Sequence, residues 1–168
     1  MSFSLFSNNF PDHFIILRDG FADIAKIETD IDRGNATFDW TGPSLRVGTT
    51  GQLRRAVAPL GFVLHVADFE NFRILEKFFD GIIDPARKEE VRQESTFLVE
   101  AGLIDPNQFS FRSVKFPDRF IRHRDFQLFA EPVNAPLSAP NNSASISVSG
   151  IAPQETATKG RSFRWPRL

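Results

Sequence analysis

Apolar positions in this chain come in short runs of one to four residues, broken by polar residues and by Asn, Pro, Asp and Gly turn signals. The pattern predicts strands joined by tight turns. The clearest case is Phe109–Phe126, where two strand-like pieces flank the Pro117-Asp118 turn and the second ends in Arg122-His123-Arg124-Asp125. The N-terminus repeats this plan. Ser4–Ser7 and His13–Leu17 flank Asn8-Asn9-Phe10-Pro11-Asp12, and Phe21–Ile27 supplies a further strand. A polar turn carrying Glu28, Asp30 and Asp32 then leads to Asn35-Ala36-Thr37-Phe38, and the segment closes near Trp40-Thr41-Gly42.

The two segments share a register. Ser4–Ser7 falls on Ser110–Ser113, and Phe10–Ile15 on Phe116–Ile121, at a constant offset of 106 residues. An offset of 58 places Ala58–His65 on Phe116–His123, with Pro59 on Pro117, Phe62 on Phe120 and His65 on His123. Phe72–Lys77 follows as the next strand of this middle copy, and Glu94-Ser95-Thr96-Phe97 echoes Asn35-Ala36-Thr37-Phe38. Ser143–Ile146 is a third, eroded echo, and Ser145–Ser149 alternates like a two-faced strand. Asp84–Val91 predicts a short helical insertion in the middle unit, capped by Asp84 with Pro85 in its first turn. The units run over residues 2–42, 43–105 and 106–153 of one domain, 1–153. Residues 154–168 form a polar tail in which Ser162–Pro166 could dock as a last strand. Units of this size with about four strands each predict a closed, threefold all-β body. A two-sheet sandwich is the other architecture open to this strand count.

Composition narrows the chemistry. Nineteen Phe and no Tyr give a bulky core without phenolic hydroxyls. The absence of Cys excludes disulfides, thiol catalysis and thiolate metal sites, without fixing a compartment. A net charge of −1 and a pI near 6.3 provide no basic field for nucleic acid. No apolar run reaches the roughly 20 residues that span a bilayer. No basic leader followed by a long apolar segment opens the chain, so a classical signal peptide is not expected, although the composition is compatible with secretion. A monomer without cofactor or metal is expected. The three histidines lack metal-ligand spacing, and Asp23, Glu28, Asp30 and Asp32 lack a calcium-loop pattern. No phosphate loop or Gly-x-Ser-x-Gly nucleophile element is present. Asn35-Ala36-Thr37 and Asn141-Asn142-Ser143 satisfy the glycosylation pattern.

Ser110–Ser113 with Phe116–Phe126, together with the Ala-Thr-Phe-like elements at Asn35 and Glu94, resembles the arabinose-binding domain of α-L-arabinofuranosidases. The resemblance covers residues 2 to about 151 and implies a β-trefoil carbohydrate-binding module. In that family each pocket uses a His after the second strand and an Asp before Ala-Thr-Phe. The resemblance puts the His place at Leu17, His65 and His123, and the Asp place at Asn35, Glu94 and Ser143, with Asn142 as an amide substitute. With no Tyr, the aromatic floor falls to Phe62 and Phe120. The implied function is non-catalytic binding of plant-type or related glycans, including arabinofuranose-containing ones, with the His65–Glu94 pair best preserved. The alternative is a trefoil that has lost sugar binding and serves as a protein-interaction scaffold, so the expected partner is a glycan or a protein.

If the strand persists, alternation puts Arg122 and Arg124 on one face, meeting solvent, and His123 on the other, where a ligand-binding role in a pocket and a structural role are equally open. Arg122 then offers a fork of donors to a carboxylate-bearing ligand. A surface network of Arg119 with Asp118 or Arg124 with Asp125 is the plainer reading. His13 is expected as exposed turn chemistry.

Overall fold

The computed structural model describes residues 2–103 and 105–134. Three antiparallel hairpins dominate it: β2 (Phe14–Arg18) with β3 (Phe21–Ala25), β7 (Phe62–Ala67) with β8 (Arg73–Phe78), and β11 (Arg119–Arg124) with β12 (Gln127–Pro132). Each turns on two successive residues with positive φ: Asp19-Gly20, Asn71-Phe72 and Asp125-Phe126. Such turns follow the twist of a hairpin. The second strands of the hairpins meet in a closed triangle, through Phe21 with Leu75, Arg73 with Phe129, and Gln127 with Asp23. Threefold order extends to single hydrogen bonds. The carbonyls of Gly20, Phe72 and Phe126 each accept from the next hairpin, from Glu76, Ala130 and Ile24 N–H, all at 2.8 Å.

The remaining strands form the wall below this cap. They are β1 (Ser2–Phe3), β4 (Phe38–Trp40), β5 (Thr50–Gly51), β6 (Leu53–Arg55), β9 (Phe97–Ala101) and β10 (Phe109–Ser113). Leu5, Leu53 and Phe111 occupy one repeated core place, and Phe38 and Phe97 another. The curled sheet is a β-trefoil, as the repeats predict.

The helix over Pro85–Glu94, α2, stands where Asp84 predicts it. The Asp84 carboxylate accepts from Ala86 and Arg87 N–H. A shorter helix, α1 (Asp30–Asn35), occupies the matching place in the first unit, where a polar turn is expected. Thr29 and Asp32 cap it reciprocally, a pairing the Thr-x-x-Asp spacing already carries. Replacing Asp84 by Ala should lower stability by about 1 kcal/mol, the usual value of a lost N-cap. Urea unfolding with unchanged m would show it.

One register differs from the sequence alignment. Phe6 bridges Phe14 and Arg112 pairs with Phe120, but Arg54 pairs with Val63. Eight residues, 55–62, lie between the paired positions Arg54 and Val63, against seven in 7–13 and seven in 113–119. The offset of 58 therefore holds at Leu53 and Arg55 and becomes 57 along β7. A one-residue slip exchanges the two faces of a strand. Leu64 and Val66 enter the core where Ile15 and Leu17 do, so Val66 takes the place of His123 and His65 faces the other way. The repeat logic survives; the pairing of His65 with His123 does not.

Candidate functional site

Each hairpin turn packs toward the loop that opens the next unit, and these three corners collect the polar chemistry. The third corner contains His123. Its ring is 2% exposed, on the same strand face as the core residue Ile121. His123 Nε2 donates to Asn9 Oδ1 at 2.9 Å and lies 3.1 Å from Ser7 Oγ, which itself donates to Asn9. That pairing fixes the Nε2–H tautomer. Nδ1 is buried and has no hydrogen-bond partner among the described residues. Burial pushes the imidazole down to about 4, helped by the nearby positive charge of His13 and Arg122. Phe10 closes over the ring edge-on at 5.7 Å and packs on Phe126 at 5.3 Å. His13 stacks on Phe126 at 5.4 Å and pairs through Nδ1 with Asp12 at 2.7 Å. It is therefore part of an aromatic cluster, not merely a turn residue.

The second corner repeats the aromatic pair. Phe72 and Phe116 meet edge to face at 5.2 Å, and Arg119 lies 3.4 Å over Phe72, as His13 lies over Phe126. Lys115, at the place of Asn9, donates to Glu94 Oε1 at 2.9 Å. Glu94 ends α2 and is 4% exposed. Its other oxygen lies 3.4 Å from His65 Nδ1, without hydrogen-bond alignment. The predicted pair is thus brought together, with His65 on the strand face opposite the core. Burial pushes the His65 imidazole below its ordinary value, and Glu94 opposes that shift.

The first corner has lost both rings. Gly20 stands where Phe72 and Phe126 stand. Arg55, at the place of Ser7 and Ser113, fills the corner instead: it donates to Asn35 Oδ1, to Glu76 Oε1 at 2.8 Å and to the Val57 carbonyl at 3.1 Å. Asn35 is consumed by this bond, and Leu17 belongs to the core.

Other expected residues have different surroundings. Phe62 packs on Phe78 at 4.9 Å, and Phe120 is 5% exposed; each lies three residues from its histidine, across the strand. The rings at the corners are Phe10, Phe72, Phe116 and Phe126. Their signal in the sequence was the Asn71-Phe72 and Asp125-Phe126 turns for two of them and the Phe-Pro-Asp groups for Phe10 and Phe116. Arg122 does not meet solvent: it is 3% exposed and donates to the Pro132 carbonyl at 2.9 Å. The polar strand face is instead covered, and a buried guanidinium needs that acceptor. Arg124 pairs with Glu131 rather than Asp125, and Arg119 donates to the Ala130 carbonyl rather than pairing with Asp118. Asn142 and Ser143 lie outside the described residues, as does the strand expected at 145–149. Among the described residues, no group of three or more His, Asp or Glu is placed to hold a metal ion, and no helix is long and apolar enough to cross a membrane.

A groove of about 290 Å³ opens beside the third corner, lined by Phe126, His13, Arg18, Ile24, Lys26 and Glu28. Phe126 is 39% exposed there. It combines one aromatic surface with donors and acceptors of both signs.

Comparison with curated proteins gives no match. Among solved structures, a GH54 α-L-arabinofuranosidase soaked with a cyclic sulfate inhibitor superposes with a TM-score of 0.65 at 18% identity, over 90% of this chain and 31% of that one. An endo-β-galactosidase from Clostridium perfringens gives 0.58 at 12%, over 88% and 32%. A protein described as BEL β-trefoil gives 0.57 at 15%, over 88% and 91%. This chain spans about a third of the length of the arabinofuranosidases it matches. Residues 69–145 match the family model described as the alpha-L-arabinofuranosidase B (ABFB) domain. That match takes in the turn at Phe72, the Glu94 corner and all of β11 and β12, so over these residues the chain is similar to that domain, and the closed hairpin triangle makes its fold a β-trefoil.

Proposed function

We propose that this domain binds arabinofuranose-bearing glycans without cleaving them, and that its principal site is the groove beside Phe126. One observation carries the reading: Phe126 and Phe72 sit at positive φ, 63° and 61°, where the first corner uses Gly20. A bulky side chain is a rare occupant of that region and costs about 1 kcal/mol or more. Strain of this kind gathers at functional positions. Here it presents a ring beside mixed polar groups, which suits a sugar: C–H faces pack on the ring and hydroxyls exchange hydrogen bonds with Glu28, Lys26 and His13. His123 acts from beneath, holding Asn9 and so Phe10 against Phe126. The similarity to arabinofuranosidases supports the pentose.

Titration calorimetry with methyl α-L-arabinofuranoside tests the site. Phe126→Ala should weaken binding by up to about tenfold, the value of one aromatic contact. Wild-type protein that ignores the glycoside rules the reading out. It would favour the protein-contact alternative, which rests on the exposure of Leu60 at 62%, Phe78 at 49% and Ile83 at 94%.

A further inference from the structure

A second groove, of about 580 Å³, lies on the hairpin triangle, lined by Phe21, Asp23, Arg73, Gln127 and Phe129 and sharing Arg18 with the groove beside Phe126. The two also share strands. Ile24 and Ala25 of β3 line the first, and Phe21 and Asp23 of the same strand line the second. Phe126 and its neighbour Gln127 divide in the same way.

The floor of the second groove is built, not incidental. Arg73 is 7% exposed; its guanidinium lies 5.3 Å from the Phe21 ring and 5.2 Å from Phe129. It donates to Asp23 Oδ1 at 2.5 Å and to the Leu128 carbonyl at 3.3 Å. These partners occupy Arg73, so it holds the floor in place rather than waiting for an anion. Asp19, Asp23 and Glu70 outnumber Arg18 and Arg73 in the lining, which disfavours an acidic ligand. Arg124 covers Phe129 at 4.3 Å, which leaves Phe21, 43% exposed, as the open ring. An open ring, carboxylate acceptors and the Gln127 amide match a neutral sugar unit.

We infer that the two grooves are consecutive subsites for one neutral oligosaccharide, which crosses Arg18 from Phe126 to Phe21. The inference rests on the reading of the Phe126 groove as a sugar site. It adds that the domain selects for chain length.

The test is calorimetry with methyl α-L-arabinofuranoside and with α-1,5-linked arabinotriose. The wild type should bind the triose about tenfold or more tightly than the monosaccharide, since a second ring contact and added hydrogen bonds contribute. Phe21→Ala and Gln127→Ala, both at exposed positions, should bring the triose close to the monosaccharide and leave the monosaccharide unchanged. Phe126→Ala should weaken both. Equal wild-type affinity for the two probes overturns the inference and leaves the first site standing, as does a Phe21→Ala protein that binds the triose like the wild type. If neither probe binds, the first site fails and the inference with it.

Discussion

Between pH 7 and pH 4 the protein should lose about 3 kcal/mol of unfolding free energy through His123 alone. The free imidazole takes its proton near 6.5, but in the folded protein it does so only at about 4. Each unit of difference corresponds to about 1.4 kcal/mol. The sign follows from proton counting. Between these values the unfolded chain binds more protons, so stability falls as pH falls. Above 6.5 the contribution is complete, and below 4 nothing further is lost from this group. The cause is structural: protonation puts a hydrogen on Nδ1, which is buried with no acceptor among the described residues, while Nε2–H stays committed to Asn9. His65 is shifted in the same direction by burial and steepens the same interval. Asp12, Asp32 and Glu89 belong to a separate, more acidic window. Their partners Lys26, Arg18 and Arg92 hold them at about 2, so their share is lost below the ordinary carboxylate range. Urea unfolding across this range measures the slope. His123→Gln retains a donor for Asn9 and cannot titrate, so its slope should be shallower by His123's share. An unchanged slope would show that other groups carry the acid sensitivity.

The same residue shows where the sequence could be read and where it could not. The offset of 106 is correct throughout, because equal numbers of residues separate the paired positions Phe6 and Phe14 and the paired positions Arg112 and Phe120. The offset of 58 fails past Arg55 because one extra residue in 56–62 is absorbed by the loop, while Phe62 and His65 happen to coincide with Phe120 and His123. Side-chain parity contained the correction. Leu64 and Val66 are the apolar alternates flanking His65, whereas Ile121 shares its face with His123. Identity of residue type prevailed over alternation, and alternation is what the core enforces. The aromatic pairs Phe10–Phe126 and Phe72–Phe116 join residues from different units. No local pattern announces such contacts. They arise only when three hairpins close into a triangle and bring each turn against the loop of the next unit.

Arg55→Met should destabilise the protein by about 3 kcal/mol, the lower end of the range for removing one member of a buried ion pair. Arg55 and Glu76 have side chains only 13% and 12% exposed, so Glu76 would keep a largely desolvated carboxylate without its cation. Asn35 and the Val57 carbonyl would lose donors as well. The double variant Arg55→Met, Glu76→Met should recover at least half of the loss, because replacing both partners removes the charge along with its need. A single variant that loses less than about 1 kcal/mol would place the pair with solvent-screened surface bridges. Opening this corner should not create a sugar site. The guanidinium fills it, but Gly20 supplies no ring in place of Phe72 or Phe126, and Leu17 supplies no polar atom in place of His123. The first corner holds a structural ion pair where the third holds a ring and an imidazole. Arg55→Met should change the urea midpoint while the affinity for methyl α-L-arabinofuranoside, measured at a temperature where the variant is folded, stays at the wild-type value.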